Sequence, residues 1–197
     1  TYTPSSAPGG RLPHGWVRRD GEVCSTLDLV PLGHHLLVTG PTCELAPGAL
    51  DGADAVVHLA GAGIGDRRWT DDYKPQILDS RVDGTHTIVQ AMSQLDPRPR
   101  VLVSASAIGW YGDTGDAIVD ETQPAGQGFL ADVVRAWEAA AEPASSVGIR
   151  VVHPRTGLVV AQSGGAWARM FPLFKFGLGG KLGPGSQWWS WISLRDE

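Results

Sequence analysis

The run DAVVHLAG at residues 54–61 decides the fold. Its apolar residues follow one another without polar alternation and end in the small pair Ala60 and Gly61. A sheet with one wet face alternates polar and apolar positions, whereas a strand covered by helices on both faces reads as a continuous apolar run. The stretch therefore predicts a buried strand of a parallel sheet.

The residues downstream repeat the theme. In DGTHTIVQAM (83–92), Thr85, Ile88, Val89 and Met92 stand at helical spacing, and Pro97 and Pro99 stop that helix. RVLVSASAIG (100–109) supplies a second buried strand. FLADVVRAWEAAAEPA (129–144) is a second helix with Leu130, Val133, Val134, Trp137 and Ala141 along one face and Pro143 past its end. GIRVVHPRTGLVV (148–160) is a third strand. Strand, helix, strand, helix, strand predicts an α/β, Rossmann-like doubly wound parallel sheet. FKFGLGGKLGPGSQWWSWIS (174–193) is aperiodic and reads as a loop region on the substrate side.

Residues 1–50 differ in texture, being rich in Pro and Gly with short apolar runs, and read as short strands joined by turns. Within them LLVTG (36–40) imitates the strand that opens a dinucleotide-binding fold. It is followed by PTCELAPG, without the further glycines of a phosphate loop or room for a helix and strand before residue 51.

Composition narrows the function. The 197 residues, 42% hydrophobic and 19% charged, suffice for one ordinary domain with an appendage. The net charge is -5 and the basic residues are scattered, which excludes a phosphate-backbone partner, so no nucleic acid is expected. No apolar run reaches the roughly 18 residues of a membrane span. Cys24 and Cys43 are too few for a disulfide framework, and the first residues lack the features of a signal peptide, so a cytoplasmic location is expected. The histidines show no HxxxH or HExxH spacing and the cysteines no CxxC, so no metal site is expected.

LDGADAVVHLAG, GDRRWTDDYK, SRVDGT, SASAIGWYGDTGD, WEAAA, RTGLVV, GLGGKLGPGSQ and WIS followed by Asp196 together resemble an atypical branch of the extended short-chain dehydrogenases, the NAD-dependent epimerase/dehydratase-like family. The resemblance spans residues 45–197 and implies a Rossmann-like domain incomplete at both ends, lacking its usual first strand, glycine loop and helix. YTPSSAPGGRLPHGWVRRDGEVCSTLDL and LLVTGP resemble instead the C-terminal, thioredoxin-like segment of flavin-dependent aromatic hydroxylases. That second resemblance sets residues 1–44 apart as a β-rich appendage and places LLVTG within it.

The first resemblance implies an NAD(P)-dependent oxidoreductase or epimerase acting on a small-molecule substrate, with NADP or NAD as cofactor and a homodimer as assembly. The second carries an alternative, a non-catalytic docking module associated with a flavin hydroxylase. By resemblance, His58, Leu59, Ala60 and Gly61 fall at cofactor-binding positions; Ser104 and Arg81 are further cofactor-side candidates and Arg68, Trp69 and Trp188 substrate-side ones, the arginines offering guanidinium forks to phosphate or carboxylate groups and the tryptophans apolar contact area. For Ala60 and Gly61 a second reading stands, that they only turn the chain after a strand. The arginines can equally make structural pairs, and the tryptophans can equally pack in a core.

Short-chain dehydrogenases use a Ser or Thr, an acid/base Tyr, and a Lys four residues after it. Ser106 matches the hydroxyl residue, but Leu130 occupies the Tyr position and Val134 the Lys position, and neither transfers a proton. Proton transfer then falls to Tyr111, Asp113, Asp116 or Glu121 on the loop beyond the second strand; Ser106 and Tyr111 stand as the catalytic candidates, with packing beside Trp110 as the other reading of Tyr111. A tyrosine in that role wants a positive neighbour, and the sequence places no lysine beside Tyr111.

Overall fold

The computed structural model describes residues 16–19, 22–25, 35–38, 45, 48–161, 165–181 and 183–197. Strands β1 (Trp16–Arg19) and β2 (Glu22–Ser25) form an antiparallel pair with Trp16 opposite Ser25. Strand β3 (His35–Val38) and strand β4 (Ala55–His58) follow, and then helix α1 (Tyr73–Ser93). Next come β5 (Val101–Ser104), β6 (Ser106–Ala107) and a 3-10 turn at Ile108–Tyr111. Helices α2 (Phe129–Ala141) and α3 (Pro143–Ser146) lead into β7 (Arg150–Val152), β8 (Arg155–Thr156) and β9 (Leu158–Val160). Helix α4 (Gly165–Lys175) and strand β10 (Trp191–Ser193) complete the order.

The main sheet has the order β3-β4-β5-β7, and every neighbouring pair is parallel. Its register aligns Val38, His58 and Ser104 at the carboxyl ends and sets Val103 beside Val152. The strand-helix-strand alternation read from residues 54–160 is present as β4-α1-β5-α2-β7. The α/β, Rossmann-like character is therefore observed.

Along β4 and β5 burial alternates, with Val56, His58, Leu102 and Ser104 fully buried and Ala55, Val57, Val101 and Val103 only partly so. Val56 and Leu102 pack with Ile88, Val89 and Met92 of α1 and with Ala141, Ala144 and Ile149. Both crossovers step along the sheet in the same direction, and right-handed connections that do so lay their helices on the same face. The continuous apolar run predicted cover on both faces. Among the described helices, α1 and α2 both cover the face bearing Val56 and Leu102. Ile77 and Tyr73 of α1 meet Val133 of α2 in a smaller cluster beside that core.

Three expectations change. LLVTG was placed with the appendage, but its Leu36–Val38 portion pairs in parallel with Val56–His58, at the edge of the main sheet. The unpaired backbone groups along that side of β4 require partners, and an extended apolar segment satisfies them. Helix α1 starts at Tyr73, ten residues before its periodicity was evident, because Pro75 sits in the first turn, where no backbone N–H is needed. The run 174–193, expected as loop, contains the end of α4 and the strand Trp191–Ser193, which pairs in parallel with Leu158–Val160. Residues 39–44, where the sequence lacks the further glycines of a phosphate loop, and Cys43 among them, lie outside the described residues.

Candidate functional site

Open parallel sheets bind ligands beyond the carboxyl ends of their strands. Here those ends are Val38, His58, Ser104 and Val152, followed by the loop 59–72, the segment 105–128 and the strand β8.

The end of β4 is built from beneath. His58 is fully buried, and its Nε2 lies 3.1 Å from the Thr85 hydroxyl, which itself donates to the Arg81 carbonyl at 2.7 Å. A hydroxyl has one proton, so His58 must donate from Nε2, which leaves Nδ1 as a buried acceptor without a partner. Burial lowers the His58 pKa from 6.5 to about 4, so the ring is neutral near pH 7. Arg81 is also buried, donates from Nη1 to the carbonyls of Ala62 and Ile77, and lies 5.0 Å from the Trp137 ring centroid. A Cβ on Gly61 would lie only 3.0 Å from the Arg81 Cζ. The small residue at 61 thus lets Arg81 cross under the strand end. Of the predicted cofactor residues, His58, Ala60, Arg81 and Ser104 are buried, and Leu59 is exposed.

The loop after β4 is pinned at several points. The Tyr73 hydroxyl donates to the Gly63 carbonyl at 2.6 Å, the Ala62 amide donates to Ser80 at 2.9 Å, and the Trp69 indole donates to the Ile64 carbonyl at 2.8 Å. Trp69 also meets Phe129 edge to face at 5.4 Å. Arg68 and Trp69, two predicted substrate residues, are exposed on this loop. The third, Trp188, is exposed on the C-terminal stretch and donates to Asp116 at 2.7 Å, beyond the 3-10 turn.

Ser106 and Tyr111, the two predicted catalytic residues, meet around an ion pair that the sequence reading did not select. Strands β6 and β8 form a short parallel ladder in which Ser106 is the register partner of Arg155. Arg155 grips Glu138 of α2 through two donors, Nε to Oε1 at 2.9 Å and Nη2 to Oε2 at 3.0 Å. Ser106 donates to the same Oε1 at 2.5 Å. The remaining guanidinium nitrogen, Nη1, donates to the Tyr111 hydroxyl at 3.2 Å and, at 3.5 Å, to the Glu121 carbonyl. Trp110 stacks on the guanidinium, with Cζ 3.9 Å from its ring centroid.

Burial alone would push the Glu138 carboxyl up. Hydrogen bonds from Arg155 and Ser106, with the charges of Arg155 and His153, hold it below the usual carboxylate range instead. Glu138 is thus ionised and the Ser106 proton is committed to it. The positive neighbour of Tyr111 that no lysine supplies is Arg155. Leu130 and Val134, at the positions of the missing Tyr and Lys, approach Gly109 of the 3-10 turn, where an added Cβ would lie 3.4 and 3.5 Å from them.

A signal for Glu138 was present. It follows Leu130 and Val134 at four-residue steps on the apolar face of α2, and a carboxylate there requires a buried partner. Nothing in the local sequence says that the partner is Arg155, because the two meet only through the fold. Ser104 is fully buried with its hydroxyl unpartnered, and the Ser104 carbonyl lies 3.3 Å from His153 Nδ1. Among the described residues no cluster of three or more His, Cys, Asp or Glu could hold a metal ion. No described helix is long and apolar enough to cross a membrane.

A parallel sheet built by strand-helix-strand crossovers, with a polar cluster beyond its carboxyl ends, is the arrangement of a Rossmann-like α/β domain. The chain belongs to the NAD dependent epimerase/dehydratase family, whose model matches residues 34–196. It is 47% identical over 154 residues to an epimerase family protein of Mycobacterium bovis, covering 78% of this chain and 50% of that protein. It is 42% identical over 149 residues to the chloroplastic SDR39U1 homologue of Arabidopsis thaliana, covering 75% of this chain and 42% of the relative. The human epimerase family protein SDR39U1, solved with NADPH, shares 33% identity at a TM-score of 0.67, covering 73% of this chain and 50% of that one. The chain spans about half the length of the curated relatives it matches. The family match begins at residue 34, so it includes the LLVTG strand that was assigned to a hydroxylase-like appendage, and these relatives lend that second resemblance no support.

Proposed function

We propose that this chain carries part of an NAD(P)-dependent oxidoreductase or epimerase acting on a small polar molecule. One observation carries the reading: Ser106, Glu138, Arg155 and Tyr111 form a connected polar cluster just past the carboxyl ends of a parallel sheet. A hydrogen-bonded cluster of titratable groups at the ligand-binding edge of such a sheet is what substrate chemistry beside a nicotinamide would use.

The residues present fit the adenosine half of such a cofactor. The small residues Ala60 and Ala105 follow the ends of β4 and β5, and the buried Ser104 hydroxyl has no protein partner. Leu59 and Gly61 would border it, with His58 and Arg81 fixing the strand end from below. When bound, the nicotinamide would exchange a hydride with the substrate. The solved human relative, whose structure contains NADPH, supports NADP over NAD as the first cofactor to test.

Titration of the purified protein with NADPH, followed by quenching of its tryptophans, tests the reading. Saturable binding in the micromolar range is expected. Absence of quenching at millimolar NADPH would overturn it.

A further inference from the structure

Resting on the nicotinamide reading above, we propose that Arg155, clamped by Glu138, is a positioning residue that makes Tyr111 the hydrogen donor to a carbonyl or alcohol oxygen of the substrate. A guanidinium carries only donors, so in the 3.2 Å contact the Tyr111 oxygen accepts from Arg155 Nη1. The phenol proton is then directed away from Arg155 and is free for another acceptor. Ser106 stands in the opposite state, because its one proton goes to Glu138 at 2.5 Å. Of the two hydroxyls expected to share the chemistry, only that of Tyr111 has a proton to give.

Arg155 is unusually well held for this task. Two of its nitrogens are fixed on Glu138, its face rests on Trp110, and the side chain is 17% exposed. Only Nη1 is left to act outward, and the planar fork fixes where it points. Tyr111 sits at the end of the 3-10 turn, half-buried, and Gly126 donates its amide to the Trp110 carbonyl at 2.7 Å to hold that turn. The residues at the usual Tyr and Lys positions are Leu130 and Val134, so the donor has moved from the helix α2 to the turn facing it.

In the direction of reduction, a bound reduced nicotinamide would supply the hydride to the substrate carbon, and Tyr111 gives its proton to the carbonyl oxygen. The phenol O–H bond breaks and a substrate O–H bond forms. The electron pair left on the phenolate faces the Arg155 charge, and one proton taken up from the bulk medium per reduction then restores the phenol. Oxidation runs the same transfers backward, with the phenolate accepting the alcohol proton.

The test uses 9,10-phenanthrenequinone as a general carbonyl probe with NADPH as reductant, and protein labelled with carbon-13 at tyrosine Cζ. The protein has three tyrosines, and Tyr111→Phe identifies the Tyr111 signal. With NADP+ bound, which allows no turnover, adding the quinone should shift the Tyr111 signal and not the Tyr73 signal. The shift should disappear in Arg155→Met. In turnover, Tyr111→Phe should lower kcat roughly 100- to 10,000-fold with little change in KM. Arg155→Lys should recover part of what Arg155→Met loses, because it restores a donor without the fork. Tyr111→Phe removes one exposed-side hydroxyl and leaves the ion pair whole, so it stays informative if the Arg155 variants fail to fold. Wild-type turnover in Tyr111→Phe, or a Tyr111 signal indifferent to the quinone while NADPH binds, overturns this inference alone. Failure of the unsubstituted protein to bind NADPH overturns the nicotinamide reading, and this inference with it.

Discussion

Replacing His58 by glutamine should remove most of the acid sensitivity of this fold between about pH 7.5 and 5. His58 is fully buried at the end of β4 with its Nε2–H on Thr85 and its Nδ1 facing no donor. A second proton would place a charge and an unpartnered donor in the interior, and burial accordingly lowers its pKa from 6.5 to about 4. The unfolded chain binds that proton near 6.5, so between 6.5 and 4 it holds more protons than the native state. Stability therefore rises with pH across this window, is fully present above 6.5, and is lost as pH falls towards 4. At 1.36 kcal/mol per pH unit the whole window amounts to about 3 kcal/mol, of which about 2 kcal/mol is lost by pH 5. Urea unfolding followed by tryptophan fluorescence at several pH values gives the slope directly. The glutamine variant keeps a donor for Thr85 and carries no titrating group, so its slope should be nearly flat over the same interval. If native and variant proteins lose stability in parallel between pH 7.5 and 5, the buried neutral histidine is not the origin of the dependence.

Other perturbations probe separate parts of the structure. Glu138→Gln leaves Arg155 without its carboxylate and should cost about 3–5 kcal/mol of stability, read as a drop in the urea midpoint at neutral pH. In the native protein the carboxyl is held below the usual range, so its contribution is present above about pH 4.5 and fades as pH falls below that, a window distinct from that of His58. Ile88→Ala empties a fully buried position between α1 and the sheet and should cost about 2–5 kcal/mol by the same assay. Gly126→Ala would drive a Cβ into the Tyr111 carbonyl and should displace the 3-10 turn at a cost of about 1–3 kcal/mol, with a matching change in the Tyr111 signal.

The sheet was legible because its strands advertise themselves. DAVVHLAG, RVLVSAS and GIRVVH are apolar runs whose neighbours show helical spacing, and connection rules then dictate a parallel order. LLVTG was misplaced because a short strand carries no information about its partner; its pairing with β4 depends on which edge is open. The start of α1 was hidden by Pro75 and by the charged run before it, since propensity marks the residue as a breaker without knowing that it lies in the first turn. The 3-10 turn and the loops around it were visible only as a glycine-rich stretch. Ser106 and Tyr111 were found from their motif, but what each can do depends on the partner of its oxygen, and that partner comes from α2 or β8. Arg155, in RTGLVV, is separated from Tyr111 by 44 positions, so no window of sequence reveals the contact.

The placement of Leu130 and Val134 bears on where the proposed chemistry would lie. In a short-chain dehydrogenase the helix after the second of these strands offers a phenol and an ammonium to the substrate. Here the corresponding face of α2 packs against the turn at Gly109, where an added Cβ would stand at ordinary van der Waals distance from the Leu130 Cβ and a Val134 methyl carbon. The turn Ile108–Tyr111 therefore lies directly on the face from which the usual residues would act, and the Leu130 and Val134 side chains are consumed in supporting it. One turn further along α2 the same face carries Glu138, which has no apolar partner to meet and instead recruits Arg155 from β8. The guanidinium bridges from that helix to the end of the turn, where Tyr111 is held. Exchange of an acid/base pair for two apolar residues thus accompanies a wholly different route for positive charge to reach a phenol. Restoring Tyr at 130 and Lys at 134 would not recreate the usual site, because both side chains would meet the turn before reaching substrate. The double variant Leu130→Tyr, Val134→Lys should accordingly lose stability by several kcal/mol through overpacking and an unpaired buried charge, without gaining turnover. A stable double variant with enhanced NADPH-dependent reduction would show that the turn yields easily, and that Leu130 and Val134 line the substrate site after all.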